Sequence, residues 1–319
     1  MRMLRIAVAI AFSLMAGHAV AQIGESPIRI VIPYPAGGVG DMAARMIADS
    51  MRVRLNRTVI VENKPGAAGR LGVRSVKDAP ADGTVLLFTP IAPMALFPHV
   101  YDNLAYDPFR DFQPISQVGT FDLGVAVGAT VPARNLKELV DWLKTHPDQA
   151  AYGTPAAGSL PHFFAVLFER AAGLDLRHVA YKGNPQAITD LIGGHLPMHF
   201  TSTQDLVEAH KAGRIRVLAT SGRERSTALP EVPTFTESGY GIRGEGWHGI
   251  YAPARTPVEV VAKLNRAVVE AVRTDEFSKR LTPLGVQPTG TSAEEFSRIQ
   301  KSDSELWGPV VKASGFKPE

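Results

Sequence analysis

Residues 28–41 constrain the fold more than any other stretch of the chain. Ile28 to Ile32 is a short apolar, β-branched run that stops at Pro33 and Pro35, as a buried strand does. Gly37 and Gly38 follow. Apolar residues then recur at Val39, Met42, Ala43, Met46, Ile47, Met51 and Leu55, near the helical repeat of about 3.6 residues. A strand that feeds a helix through glycines leaves the first N–H groups of that helix unpaired. Such an end carries partial positive charge and suits a small anion.

Gly38-Val39-Gly40-Asp41-Met42-Ala43 also fits the dinucleotide pattern G-x-G-x-x-A, and Glu62 ends the next strand-like run about 20 residues on. Asp41 in the first helical turn would repel a pyrophosphate. Pro33 and Pro35 insert a longer turn than that fingerprint allows. The rest of the chain must decide between an anion seat, a nucleotide site and an ordinary glycine turn.

The first 21 residues read as a leader. Arg2 and Arg5 form its basic end, Ile6 to Met15 its apolar centre, and Ala19-Val20-Ala21 an A-x-A cleavage site. The apolar run is too short to anchor in a bilayer. With no cysteine there is no lipid attachment and no disulfide. A cysteine-free exported chain fits a bacterial periplasm, with cleavage after Ala21. The leader takes two of the 34 basic residues, which leaves the remainder nearly balanced against 31 acidic ones. Near-neutral charge argues against a nucleic-acid partner. The roughly 300 remaining residues fit two domains.

Strand-like runs at Thr58–Glu62 and Thr84–Thr89 alternate with helix patterns, which predicts a parallel sheet covered on both faces. Ligands of such sheets sit beyond the carboxyl ends of the strands. Those ends hold Pro35 to Gly38, Asn63 to Gly66, and Thr89 to Pro93. Lys64 could face an anionic ligand there or simply lie in solvent. Ile115 to Val127 is a long apolar run with an interruption at Gly119–Asp122, a crossover toward a second domain. Asn135 to Glu138 opens a helix in a capping-box pattern.

Ala151 to His162 repeats the opening theme of strand, small-residue turn and helix start, with Pro161 near the first helical position. A second set of N-terminal amides is expected there, joined by the hydroxyls of Thr154 and Ser159 and the imidazole of His162. Neutral N–H and O–H donors can fill a carboxylate's lone-pair sites without a full counter-charge. Ser159 could instead serve only as a helix cap. Ser159 and His162 do not read as a catalytic pair, because the G-x-S-x-G elbow and an orienting acid are both missing. His195 and His199 have metal-ligand spacing, but Pro197 removes the helix that would align them.

Downstream, Leu196–Phe200 and Ile215–Thr220 read as strands, and Trp247 to Ala252 as the return crossover. Thr256-Pro257-Val258-Glu259 combines a cap, a first-turn proline and a glutamate, opening a helix with Val260, Val261, Leu264, Ala267, Val268, Ala271 and Val272 inward. Ser292 caps the last long helix, with Phe296, Ile299, Leu306 and Trp307 as expected apolar anchors.

Several of these blocks together resemble one family. Pro-Tyr-Pro-Ala-Gly-Gly (33–38) with Asp41, Val-Glu-Asn-Lys-Pro-Gly-Ala-Ala-Gly (61–69) and Tyr-Asp-Pro (106–108) are similar to the receptors of tripartite tricarboxylate transporters. These are the Bug, or TctC-like, periplasmic solute-binding proteins. Tyr-Gly-Thr (152–154), Tyr-Lys-Gly (181–183), Leu-Pro-Glu-Val-Pro-Thr (229–234) and the Trp247 segment extend the resemblance over nearly the whole chain beyond the leader.

The resemblance implies an α/β fold of two lobes, like a type II periplasmic binding protein. Each lobe would be a mainly parallel sheet flanked by helices, and the ligand would lie between them. One lobe would comprise 22–122 plus 248–319, the other 123–247. It implies a small carboxylate as ligand (a di- or tricarboxylate or an aromatic acid), bound by hinge closure, with inner-membrane transporter subunits as partners. Ligand-binding candidates are Pro35, Ala36, Gly37, Gly38 and Asp41 from the first loop, then Thr89. From the second lobe they are Thr154, Ala157, Gly158, Ser159, His162 and Thr201. No catalytic residue, metal or cofactor is expected, and a monomer is. Two departures stand out. Val39 replaces a third small residue, and Thr201 stands where many members carry an aspartate that meets a ligand's amino group. The second departure favours plain carboxylates over amino acids. An enzyme or a sensory partner built on the same scaffold is the alternative.

Overall fold

A computed structural model describes residues 23–317, so the leader expected at 1–21 lies outside the described residues. β1 (Ile28–Ile32) pairs in parallel with β2 (Val59–Asn63) on one side and β3 (Val85–Pro90) on the other. A second parallel trio forms around β5 (Ala151–Thr154), flanked by β6 (Arg177–Ala180) and β7 (Met198–Ser202). Two antiparallel strands join the trios: β4 (Phe112–Val127) and β9 (Glu245–Pro253). The spatial order is β2-β1-β3-β9-β4-β7-β5-β6, with β8 (Arg216–Thr220) and β10 (Val286–Pro288) branching from β4. This is the expected α/β fold, with parallel pairing inside each trio and antiparallel pairing where the chain crosses.

The crossover strand is longer than the sequence suggested. Gly119–Asp122 does not interrupt β4; the register slips between Gln117 and Gly119, and β10 pairs with the same segment. A Cβ at Gly119 would lie 2.9 Å from the Gln287 carbonyl oxygen, so glycine lets the extra strand approach. β4 follows β9 through Asp122, opposite Glu245, then changes partners at Leu123, which faces Ser202 of β7.

The helices in chain order are α1 (Val39–Leu55), α2 (Arg70–Lys77), α3 (Phe97–Val100), α4 (Leu136–Thr145), α5 (Leu160–Ala172), α6 (Asn184–Ile192), α7 (Val207–Lys211), α8 (Val258–Val272), α9 (Asp275–Leu281) and α10 (Ala293–Ser314). α1 and α8 pack on one face of the first trio, where Ile30, Ile47, Leu264 and Val268 are fully buried. All seven residues expected on the inner face of α8 are buried. A separate apolar cluster runs from Leu87 through Trp247 and Phe296 to Phe163 and Phe168, so packing is continuous from one trio to the other. α10 carries part of that continuity, since it touches both β4 and α5.

Two local expectations need correction, and one open reading resolves. Leu306 is not an anchor of α10 but 64% exposed; the buried positions are Phe296, Gln300, Ser304, Trp307, Gly308 and Val311. Leu306 lies about 100° around the helix from Trp307, on the outer face. Thr256 does not cap α8: its hydroxyl donates back to the Pro253 carbonyl at 2.7 Å, and the helix begins at Val258. Of the two readings open for Lys64, the partly solvated one holds: it pairs with Glu62 at 3.3 Å and is not among the cavity-lining residues. Ser292 does cap α10, accepting from the Glu295 N–H at 3.1 Å.

Candidate functional site

The strand ends of both trios converge on one cavity of about 120 Å³. That is room for several waters, at about 30 Å³ each, or for a small organic acid. Its body is apolar, with Ile32, Phe88, Ile91, Phe121 and Leu160 in the wall. Among the described residues no lysine or arginine lines it.

Its polar groups come from three helix starts and one strand end. Leu160 and Pro161 begin α5, and Ser159 occupies the cap position with extended backbone. The Ser159 hydroxyl does not cap. It is buried, lines the cavity and has no hydrogen-bond partner among the described residues. Gln204 Oε1 is in the same condition on the far wall. Buried polar atoms are nearly always satisfied, so a hydroxyl and an amide oxygen left unpartnered around one cavity mark it as a polar binding site.

The start of α1 is already occupied. The Gly37 N–H donates to the Asp41 carboxylate at 3.3 Å, with Gly37 at φ +102°, a turn that glycine makes without strain. The Val39 N–H donates to Asp205 Oδ1 at 3.1 Å, across the cleft from the Thr203–Asp205 turn that follows β7. Asp205 Oδ2 accepts from the Asn184 amide at 2.7 Å. Asn184 is in turn held by the Thr201 hydroxyl at 2.7 Å and by His199 Nε2 at 3.1 Å.

The two acids differ in charge environment. Burial would raise the Asp41 pKa, but hydrogen bonds from Arg45, Asn63 and Gly37 together hold it below the usual carboxylate range. Arg45 grips it through two contacts of 3.0 Å each. Asp205 meets only neutral donors, and burial pushes its pKa up against them. His248 faces the cavity between the rings of Phe88 and Phe121, at 5.2 and 4.8 Å, and burial pushes its pKa down to about 3. It is therefore a neutral imidazole at neutral pH. A Cβ at Gly40 would come within 2.9 Å of its Nε2, so the helix start and the ring pass closely.

Against this geometry, the family model described as "Tripartite tricarboxylate transporter family receptor" matches residues 43–316. The chain belongs to that receptor family. Among solved structures, the receptor chain is similar to the periplasmic binding protein BugD, at 31% identity and a TM-score of 0.88 over 93% of this chain and 100% of the other. It is also similar to Rpa4515 of R. palustris solved with adipate, at 28% identity and a TM-score of 0.88 over 92% and 98% of the two chains. MatC of Rhodopseudomonas palustris, solved with bound malate, matches at 27% identity and a TM-score of 0.85 over 89% and 98%.

Within this receptor, Pro35, Gly38, Asp41 and Ser159 line the cavity. Ala36 and Gly37 lie exposed in the same loop, while Ala157 is half-buried and Gly158 buried in the turn before α5; all four are outside the lining set. Thr89, Thr154 and Thr201 are fully buried behind the wall. Thr89 bonds the Pro90 carbonyl, Thr154 joins the Ala156 carbonyl and His178, and Thr201 orients Asn184. His162 turns away from Ser159. Its Nδ1 accepts the Gly158 N–H at 3.0 Å, and its ring stacks on His178 with centroids 4.0 Å apart. Burial, with His178 beside it, pushes the His162 pKa down to about 3. A nucleophile–base pair would need a Ser159–His162 hydrogen bond, and none forms here.

Asn184, Gln204, Asp205 and His248 were not singled out from the sequence as site residues. For Asn184 a signal existed, since the Gly183-Asn184-Pro185 turn opens a helix at a strand end. Asp205 had no such mark. The G-x-G-x-x-A match ends here too: two carboxylates already face the amides a pyrophosphate would use, and Glu62 is engaged with Arg29 and Lys64. Among the described residues no cluster of three metal-ligating side chains occurs, and no helix is long and apolar enough to cross a membrane.

Proposed function

We propose that this receptor binds a small carboxylate in the cavity between its two parallel trios and delivers it to inner-membrane transporter subunits from the periplasm. The observation that carries the reading is the unpartnered Ser159 hydroxyl at the start of α5, buried and facing the cavity. A hydroxyl and the first amides of a thirteen-residue helix offer neutral donors and a favourable dipole to one carboxylate. The adipate and malate in two similar structures support the same ligand class. Strand partners change between Asp122 and Leu123, which supports lobes divided near that point and a hinge there. Contacts from both lobes would then stabilise the closed form in proportion to their difference between open and closed states.

The test is a thermal-shift screen of small carboxylic and amino acids on the purified protein. A ligand at about 100 times its dissociation constant stabilises by about 2.7 kcal/mol, a shift of a few degrees for a chain of this size. Ser159→Ala should weaken the best acid by about tenfold, in line with one hydrogen bond to a charged group. Stabilisation by amines or nucleotides alone would overturn the reading.

A further inference from the structure

We propose that Asp205 is a tethered carboxylate that occupies the α1 helix start and restricts the cavity to ligands bearing a single carboxylate on an apolar body. The inference rests on the carboxylate-receptor reading and narrows it.

A clamp made from two helix starts has two anion seats, one on each trio. In this chain the seats are not equivalent. At α5 the Ser159 hydroxyl has no partner. At α1 the first helical N–H, that of Val39, already donates to Asp205. Both Asp205 oxygens accept hydrogen bonds, one from each side of the cleft, which is the pattern of an ionised carboxyl. Its support is built in depth. Asn184 presents its amide to Asp205 because Thr201 and His199 hold the opposite end. Asp205 and Asn184 both line the cavity, while Thr201 and His199 are wholly buried behind it.

Charge decides what a ligand can add. Asp41, at the same helix start, is neutralised by Arg45, whereas among the described residues Asp205 meets only the Val39 N–H and the Asn184 amide. A ligand carboxylate placed near α1 would meet an unneutralised negative charge in a cavity without lysine or arginine. The walls between the seats are Phe88, Phe121, Ile32 and Ile91, which suit a hydrocarbon body. One carboxylate at α5 and an apolar remainder satisfy all of these surfaces. A dicarboxylate leaves its second charge facing Asp205.

The experiment is calorimetry with matched acid pairs: butyrate with succinate, hexanoate with adipate, and benzoate with isophthalate. The wild-type protein should bind the single acid of its best pair at least about tenfold more tightly than the double acid. Asp205→Asn, which keeps the shape and removes the charge, should raise affinity for the double acid by about tenfold or more. The readout is the ratio of double-acid to single-acid affinity, which should rise by about tenfold or more. Asp205→Ser is the second variant, expected to act in the same direction should the Asn184 amide refuse its new neighbour. A wild-type preference for the double acid, or an unchanged ratio in both variants, overturns the inference and leaves the carboxylate reading standing. Binding of none of the six acids overturns both.

Discussion

Asp122 sits where β4 exchanges one partner strand for another, directly opposite Glu245 in the ladder. Its carboxylate packs close to the Gly222 backbone, where a Cβ would lie 2.8 Å from Oδ2. Burial, with Glu245 adding like charge, pushes its pKa up to about 6 from an ordinary 3.8. Ionised Asp122 therefore opposes the fold. At full weight such a displacement corresponds to roughly 3 kcal/mol. Asp122 is only part-buried and Glu245 is exposed, so solvent screening reduces this to about 1–2 kcal/mol. The sign follows from proton counting. Between pH 4 and 6 the folded chain keeps a proton that the unfolded chain has released, so stability from this group falls as pH rises through that window. Asp122→Asn removes the penalty. Urea unfolding of both proteins at half-unit steps from pH 4 to 8 should give equal stabilities near pH 4, with the variant ahead by about 1–2 kcal/mol above pH 7. A variant less stable than wild type at pH 8, or a difference independent of pH, would refute the reasoning.

The remaining predictions concern the buried imidazoles and the last helix. His162 and His248 are pushed down to about 3 by burial, so neither ring should titrate between pH 8 and 5 when followed by NMR; a midpoint near 6.5 in either would contradict their placement. Because their folded pKa lies below the unfolded value, the stability they contribute is present above pH 6.5 and is lost as pH falls toward 3. On α10, Phe296→Ala should cost about 3–5 kcal/mol, because that ring is wholly buried against Trp247 and Tyr251. Leu306→Ala should stay within about 0.5 kcal/mol, and equal losses at the two sites in thermal unfolding would contradict the assigned helix face.

Much of the fold was legible because its signals are local. The period-2 and 3.6-residue patterns placed β1, α1, β5, α5 and the inner face of α8, and the small-residue turns marked the two helix starts that line one cavity. Where local patterns compete, the reading failed. Thr256, Pro257 and Glu259 have the composition of a capping box, but the hydroxyl found the Pro253 carbonyl behind it before any amide ahead. Leu306 is as apolar as the buried anchors Phe296 and Trp307, and only the packing of α10 on β4 decides that its side of the helix faces water.

The sequence by itself determined which elements form, in what order, and that two helix starts carry free amides. Hydrogen bonding along the chain and hydrophobic periodicity are short-range, so nearby residues suffice to specify them. The tertiary structure alone decided what meets those amides. His162 is only three residues from Ser159, yet it turns to Gly158 and His178. Asp205 lies 166 residues from Val39 and caps its helix across the cleft. A side chain's partner over such a separation depends on how two sheets are brought together. That is a property of the closed core, and no local pattern encodes it.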